Sequence, residues 1–400
     1  MTNWAELDAR YMMPTYSHLK LPIAIERGEG NYLYDTDGKR YLDLFGGLAV
    51  NVLGHSHPRL IEALNEQGKR FLHISNVYLN PPAITLAKRL SDLTLKGKVF
   101  FTNSGAETTE AAIKWLHKYQ TKVAPDREGI VVLKGGFHGR TLGALKLTRQ
   151  PSVYQDFPLP TFEVIEVEPE NLTELEAALA KKPLAILFEP VLGSGGVIPL
   201  SDAYLQRIGE LTQTNDVRLL IDEIQTGMGR TGTLFAYQQT SLQPDLILFA
   251  KGVGGGLPLG GMIAKPEWSD LFGPGDHGTT FAPSPLSASL GNAVLDCLFD
   301  EGVLEGARAS IDYLWKKLFE LAEHSPFIKE IRGKGMMIGI VTGGEPDQIK
   351  ALRQKMQEAG ILIDITQRTI IRLLPPLTLT QDEIDIFVQL LNNKLNEVFS

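Results

Sequence analysis

Between residues 99 and 250 the chain keeps returning to one pattern: a short apolar run, a turn, then a stretch with helical spacing. The runs are Val99–Phe101, Ile130–Leu133, Leu184–Phe188, Arg218–Ile221 and Leu246–Ala250, with helical patterns such as Glu110–Tyr119 and Leu172–Ala180 between several of them. Strands that are apolar throughout are buried on both faces, and intervening helices supply the crossovers that parallel strands need. The pattern predicts an α/β fold with a largely parallel sheet covered on both sides. Ligands of such sheets bind beyond the carboxyl ends of strands. A chemically capable residue directly after an apolar run is therefore a candidate for the site.

The flanks read differently. Tyr32-Leu33-Tyr34, the turn Asp35-Thr36-Asp37-Gly38 and Tyr41-Leu42 predict a hairpin. After about residue 300 the chain is more charged, with strands at Met336–Ile340 and Ile370–Leu374 flanked by helical stretches. This predicts a second, smaller α/β domain. The 400 residues suit two or three domains.

Composition removes several function classes. A formal net charge of −8 argues against a general nucleic-acid binder. A single cysteine, Cys297, rules out an intramolecular disulfide and a multi-cysteine zinc site. No apolar stretch approaches the roughly 18 residues of a membrane span. Met1–Arg10 carries Glu6 and Asp8 and has no apolar core, so it does not read as a signal peptide. A cytoplasmic location without membrane partners is expected.

Lys251 closes the run Leu246–Ala250 and stands among Gly252, Gly254, Gly255 and Gly256. A lysine at the mouth of a buried strand is desolvated, which lowers its pKa and frees the amine for Schiff-base chemistry. Alone, a solvated lysine at a loop start is the commoner reading. Asp222 closes the run Arg218–Ile221 and is followed by Glu223. A carboxylate there can hold a pyridine nitrogen protonated, or merely cap a loop. Together, on two adjacent strand ends, Lys251 and Asp222 are far more specific than either alone.

Thr102-Asn103-Ser104-Gly105-Ala106-Glu107 follows the first run and precedes a helix. Bare N–H groups and the helix dipole would bind a monophosphate there, though the same residues also cap ordinary helices. Phe137-His138-Gly139-Arg140-Thr141 follows the second run. It offers an aromatic that can stack on a flat ring and an Arg that can grip a carboxylate, or else a packed Phe and a surface Arg. Arg372 lies amid apolar strand residues and wants an anion, either a structural carboxylate or a substrate. Glu189 ends the run Leu184–Phe188, as a substrate-site acid or an arginine's partner. Gly227-Met228-Gly229-Arg230-Thr231-Gly232 fits a dinucleotide pattern, but no convincing helix follows it. His55-Ser56-His57 lacks ligand spacing for a metal.

Taken in order, seven stretches resemble the class III aminotransferases of pyridoxal-5′-phosphate (PLP) fold type I, its acetylornithine branch in particular. They are Gly54-His55-Ser56-His57-Pro58, His73–Val77, Asn103–Glu107, Phe137–Thr141, Asp222–Arg230, Lys251-Gly252 and His277-Gly278-Thr279-Thr280-Phe281. The resemblance implies an aspartate-aminotransferase-like fold, with a large PLP-binding domain at 58–295 and a small α/β domain built from both chain ends, 1–57 and 296–400. It implies that Lys251 carries PLP, Asp222 meets the pyridine nitrogen, Gln225 lies near the ring oxygen, Phe137 stacks on the ring, and Gly105 and Ala106 bind its phosphate. Thr280 would reach the phosphate of another subunit in a homodimer with shared sites, with Thr279 beside it at the substrate. Arg372 would take the α-carboxylate of glutamate or 2-oxoglutarate, Arg140 that of the amino donor, and Glu189 would pair with Arg372 while the donor is bound. The sequence departs from the family at Ala282-Pro283-Ser284-Pro285, at Leu192–Gly196 and at Thr108-Thr109. The first two lie in loops near the substrate or the partner subunit and leave the cofactor residues intact.

Overall fold

The computed structural model describes residues 3–16 and 20–399, so that residues 1, 2 and 17–19 of the segment 1–57 fall outside it. Its centre is a seven-stranded sheet. In chain order the strands are β1 (Val99–Thr102), β2 (Ile130–Leu133), β3 (Val164–Val167), β4 (Ala185–Phe188), β5 (Arg218–Asp222), β6 (Leu246–Phe249) and β7 (Gly260–Ala264). Across the sheet they run β1-β7-β6-β5-β4-β2-β3. Only β7 opposes its neighbours; the other pairings are parallel.

The run pattern is explained by burial on two faces. Along β5, Leu219 and Ile221 join one apolar cluster and Leu220 the other; Ile247 and Phe249 of β6 likewise oppose Leu246 and Leu248. The helices Leu172–Ala180 and Asp202–Asn215 cover the first face through Leu175, Leu179, Leu205 and Ile208. The helix Gly105–Lys122 covers the second through Trp115, Leu116 and Tyr119. Ser104 starts that helix by accepting from the Glu107 amide at 3.3 Å, which satisfies one of the unpaired N–H groups of its first turn.

Two sheet strands are not foreseen by apolar runs. β3 is an edge strand that carries the exposed Glu166. β7 opens with Gly260 and Gly261, residues that weaken a strand and carry no apolar side chain. Here packing demands them: a Cβ on Gly261 would sit 2.6 Å from the Phe100 carbonyl oxygen, and one on Gly260 2.8 Å from Thr108 Oγ1.

Toward the C-terminus, Ile328–Lys334, Met337–Thr342, Ile370–Leu373 and Asp364–Thr366 form a four-stranded antiparallel sheet in that order. The hairpin expected near residue 37 is present, with Tyr32–Asp35 pairing antiparallel with Arg40–Asp43. Ile361–Leu362 adds to that N-terminal sheet, with Ile361 opposite Leu42. Among the described residues no helix is long and apolar enough to cross a membrane.

Candidate active site

Register places the two central residues together. Asp222, the last residue of β5, lies opposite Leu248 of β6, and Lys251 stands just past the end of that strand. Both line a cavity of about 440 Å³ with Ser104, Gly105, Ala106, Phe137, Arg140, Glu189 and Gln225 among its other walls.

Asp222 is 2% exposed. Its carboxylate accepts from the Ile224 amide at 3.0 Å and bonds His138 Nδ1 at 2.7 Å. Burial works against charge on His138, but the hydrogen bond and charge of Asp222 prevail and raise its pKa. The result is a fixed carboxylate at the cavity wall. His138 is the positioning residue that sequence reasoning passed over; its signal is a histidine directly between Phe137 and Gly139, next to a candidate ring-stacking side chain.

Lys251 adopts φ 52°, a left-handed conformation uncommon for a residue with a side chain. Such strain persists where surrounding structure imposes it and gathers at functional sites. No hydrogen bond or ion pair among the described residues engages its amine. Burial first, then the nearby Arg372, lowers its pKa to about 8, against the opposing pull of Glu189 and Asp222. The neutral amine is the nucleophile, so reactivity grows as pH rises toward that value and levels off above it. We expect the rate at which PLP-stripped protein takes up added PLP to fall roughly tenfold per pH unit below about 8. A rate independent of pH between 6 and 8, followed by absorbance, contradicts that.

The first turn of the helix Gly105–Lys122 opens into the same cavity through Ser104, Gly105 and Ala106. A Cβ on Gly105 would lie 3.0 Å from the Ile224 side chain, so glycine keeps this backbone bare where Ile224 also lines the cavity. Phe137 forms part of the wall, with the Arg140 guanidinium 5.5 Å from its ring centre. Arg140 itself is exposed at the rim.

Glu189 is buried, and burial raises its pKa to about 7. It accepts from the Phe137 amide at 2.9 Å and from the Gly193 amide at 3.4 Å. Arg372 is 7% exposed and reaches the cavity's edge through Gln225, whose Oε1 lies 3.4 Å from Nη1. Its ion pair is with Asp364, at 2.6 Å; among the described residues it makes none with Glu189. Thr279 and Thr280 lie outside the cavity's walls. The Thr279 hydroxyl accepts from Asn103 Nδ2 at 2.9 Å, whereas Thr280 is exposed. Glu223 turns away from the cavity. Its carboxyl accepts from the Ala236 and Tyr237 amides at 2.9 and 2.7 Å and ties down the loop after β5. The stretch Gly227–Gly232 is a turn followed only by the short 3-10 helix Ala236–Gln239, and Arg230 within it is fully buried.

An unpartnered amine, a fixed carboxylate on the neighbouring strand, an aromatic wall and a bare helix N-terminus suit PLP in its separate parts: aldehyde, ring nitrogen, ring face and phosphate. The fold and the site thus define a PLP enzyme. The chain matches the family model of class III aminotransferases over residues 13–395 and belongs to that family. It is 41% identical to the succinylornithine transaminase of Salmonella typhimurium over 377 residues, covering 94% of this chain and 92% of the relative. It is 40% identical to the acetylornithine aminotransferase of Methanocaldococcus jannaschii, covering 100% of this chain and 98% of the relative. The ornithine aminotransferase of Toxoplasma gondii, solved with partial occupancy of PLP at its active site, superposes with a TM-score of 0.93 at 29% identity, over 99% of this chain and 94% of that one. The chain is a PLP-dependent aminotransferase of fold type I.

Proposed function

We propose that this enzyme moves the terminal amine of N-acetylornithine to 2-oxoglutarate, releasing N-acetylglutamate 5-semialdehyde and glutamate, a step of arginine biosynthesis. The observation that carries this reading is a pair of guanidiniums at the Lys251 cavity, Arg140 in its wall and Arg372 behind Gln225. Two substrates that present a carboxylate at different distances from the reacting amine need two such receptors. Arg372 takes the α-carboxylate of glutamate or 2-oxoglutarate, and Arg140 that of the donor. The relatives named for acetylornithine and succinylornithine support an N-acylated donor. The Salmonella relative favours, as a second reading, an N-succinylated one.

PLP, when bound, draws electrons from the carbon that carries the substrate nitrogen. Lys251 Nζ would hold it, and the same amine is the base placed to take the proton from that carbon. Asp222, held in place by His138, would meet the ring nitrogen. Phe137 and Ile224 would shield the ring from water, and the Gly105 and Ala106 amides would hold the phosphate. Thr279, bonded to Asn103 of the cavity wall, would act on the substrate from behind that wall.

We also place Thr280 at the phosphate of a second copy, in a cytoplasmic homodimer with shared sites. Support comes from an apolar surface close to it: Val77, Tyr78 and Leu79 are 81%, 70% and 84% exposed, and the Phe281 ring lies 5.5 Å from His73. A chain division at 57/58 and 295/296 goes with this reading, the N-terminal sheet joining the C-terminal part through Ile361–Leu362.

The test is glutamate formation from 2-oxoglutarate with a panel of donors. N-acetylornithine or N-succinylornithine should exceed ornithine and 4-aminobutyrate in kcat/KM by roughly tenfold or more, since ornithine brings an α-ammonium toward the Arg140 guanidinium and 4-aminobutyrate places its carboxylate one carbon nearer the reacting amine, with no acyl group. Equal rates across the panel overturn the donor assignment.

A further inference from the structure

Arg372 does not wait for a substrate alone. Its Nε and Nη2 both donate to one oxygen of Asp364, at 2.8 and 2.6 Å. The pair is built into the sheet: Asp364 lies directly opposite Arg372 on the neighbouring antiparallel strand, which puts both side chains on one face. Their side chains are 11% and 8% exposed. A guanidinium carries five N–H donors in a planar fork. Asp364 occupies the Nε edge, and Nη1 points away from it toward Gln225 on the cavity wall. Between Arg372 and the cavity stands only the Gln225 amide, whose displacement would give a carboxylate access to Nη1, while the charge is already balanced from behind by Asp364. Asp364 also borders a smaller cavity with Arg353, Asp43 and His55, where the last two bond each other at 2.8 Å. Glu189, meanwhile, is engaged by backbone amides.

We propose that Asp364 is a specificity-determining residue: it is the resident counter-charge of Arg372, so that an amino donor whose carboxylate is held elsewhere does not face an uncompensated cation. Asp364 thus takes on, in this structure, the neutralising role expected of Glu189 with donor bound. The same charge weakens the grip on glutamate and 2-oxoglutarate and so sets the balance between the two substrates. The inference rests on the reading of Arg372 as the α-carboxylate receptor.

The experiment compares PLP-loaded wild type, Asp364→Asn, Glu189→Gln and Arg372→Lys. Glutarate affinity is read by calorimetry, and N-acetylornithine affinity by loss of visible absorbance in the donor half-reaction. Asn keeps an oxygen for Nε and Nη2, so the substitution removes charge and spares placement. Asp364→Asn should bind glutarate about tenfold more tightly and N-acetylornithine about tenfold more weakly, the ratio between charged and neutral hydrogen bonds. Asp364→Glu should return both toward wild type. Unchanged or weaker glutarate binding in Asp364→Asn overturns the proposal, as does the reciprocal shift arising in Glu189→Gln instead. If Asp364→Asn does not fold, Asp364→Ser reads the same loss of charge. Should Arg372→Lys bind glutarate as the wild type does, the underlying reading of Arg372 fails, and that result stands apart from the others.

Discussion

Lys251→Ala should fold, melt within a few degrees of wild type and lose turnover by roughly 10⁴-fold, the upper range for a positioned acid–base group. The expectation of a sound fold comes from the same features that make the residue reactive. Its amine has no structural partner among the described residues, and burial already disfavours its charge. Truncation therefore releases a burden rather than breaking a contact. The loss of turnover follows because no other amine stands in the cavity's lining. Steady-state assay beside a thermal melt checks both halves. Wild-type-like turnover would remove Lys251 from the chemistry, and an unfolded variant would show that the lysine holds the site together.

Asp222→Ala should lower kcat on the order of a hundred- to a thousandfold, as removal of one preorganised electrostatic group does elsewhere. Two effects combine. The carboxylate facing the ring nitrogen is lost, and His138 is stranded, fully buried, without the bond at 2.7 Å that supports its charge. Asp222→Asn should fall between, since the amide oxygen still accepts from the Ile224 amide but carries no charge. The signature is a variant that still takes up PLP and shows its visible band but turns over slowly. A variant with wild-type kcat would exclude the carboxylate from ring activation.

The central sheet and its two key residues were legible in the sequence because each depends on local pattern. β2, β4 and β6 are apolar at every position and β5 at its three central ones, since helices cover both faces, and Asp222, Glu189 and Lys251 stand at or just past the carboxyl ends of β5, β4 and β6. β3 and β7 escaped notice for opposite reasons: one is half-exposed at an edge, the other needs glycines where neighbouring atoms leave no room for a Cβ. The pairing of Arg372 with Asp364 was invisible for a third reason. The sequence shows an arginine among apolar residues that wants an anion, but the choice between substrate and structural carboxylate is made by strand register. An aspartate inside the apolar stretch Ile361–Ile365 was the available signal. Thr280 marks the boundary in another way, since its expected partner is a second copy and its own chain leaves it exposed.

The most direct test of PLP on Lys251 with an acylated donor is a titration of PLP-loaded protein with N-acetylornithine, ornithine and 4-aminobutyrate in turn, followed by visible absorbance. The band should be present, and N-acetylornithine should bleach it at far lower concentration than the other two amines. A band that only ornithine or 4-aminobutyrate bleaches would contradict the assignment of Arg140 to an acylated donor, and a protein that never acquires the band would contradict the placement of PLP on Lys251.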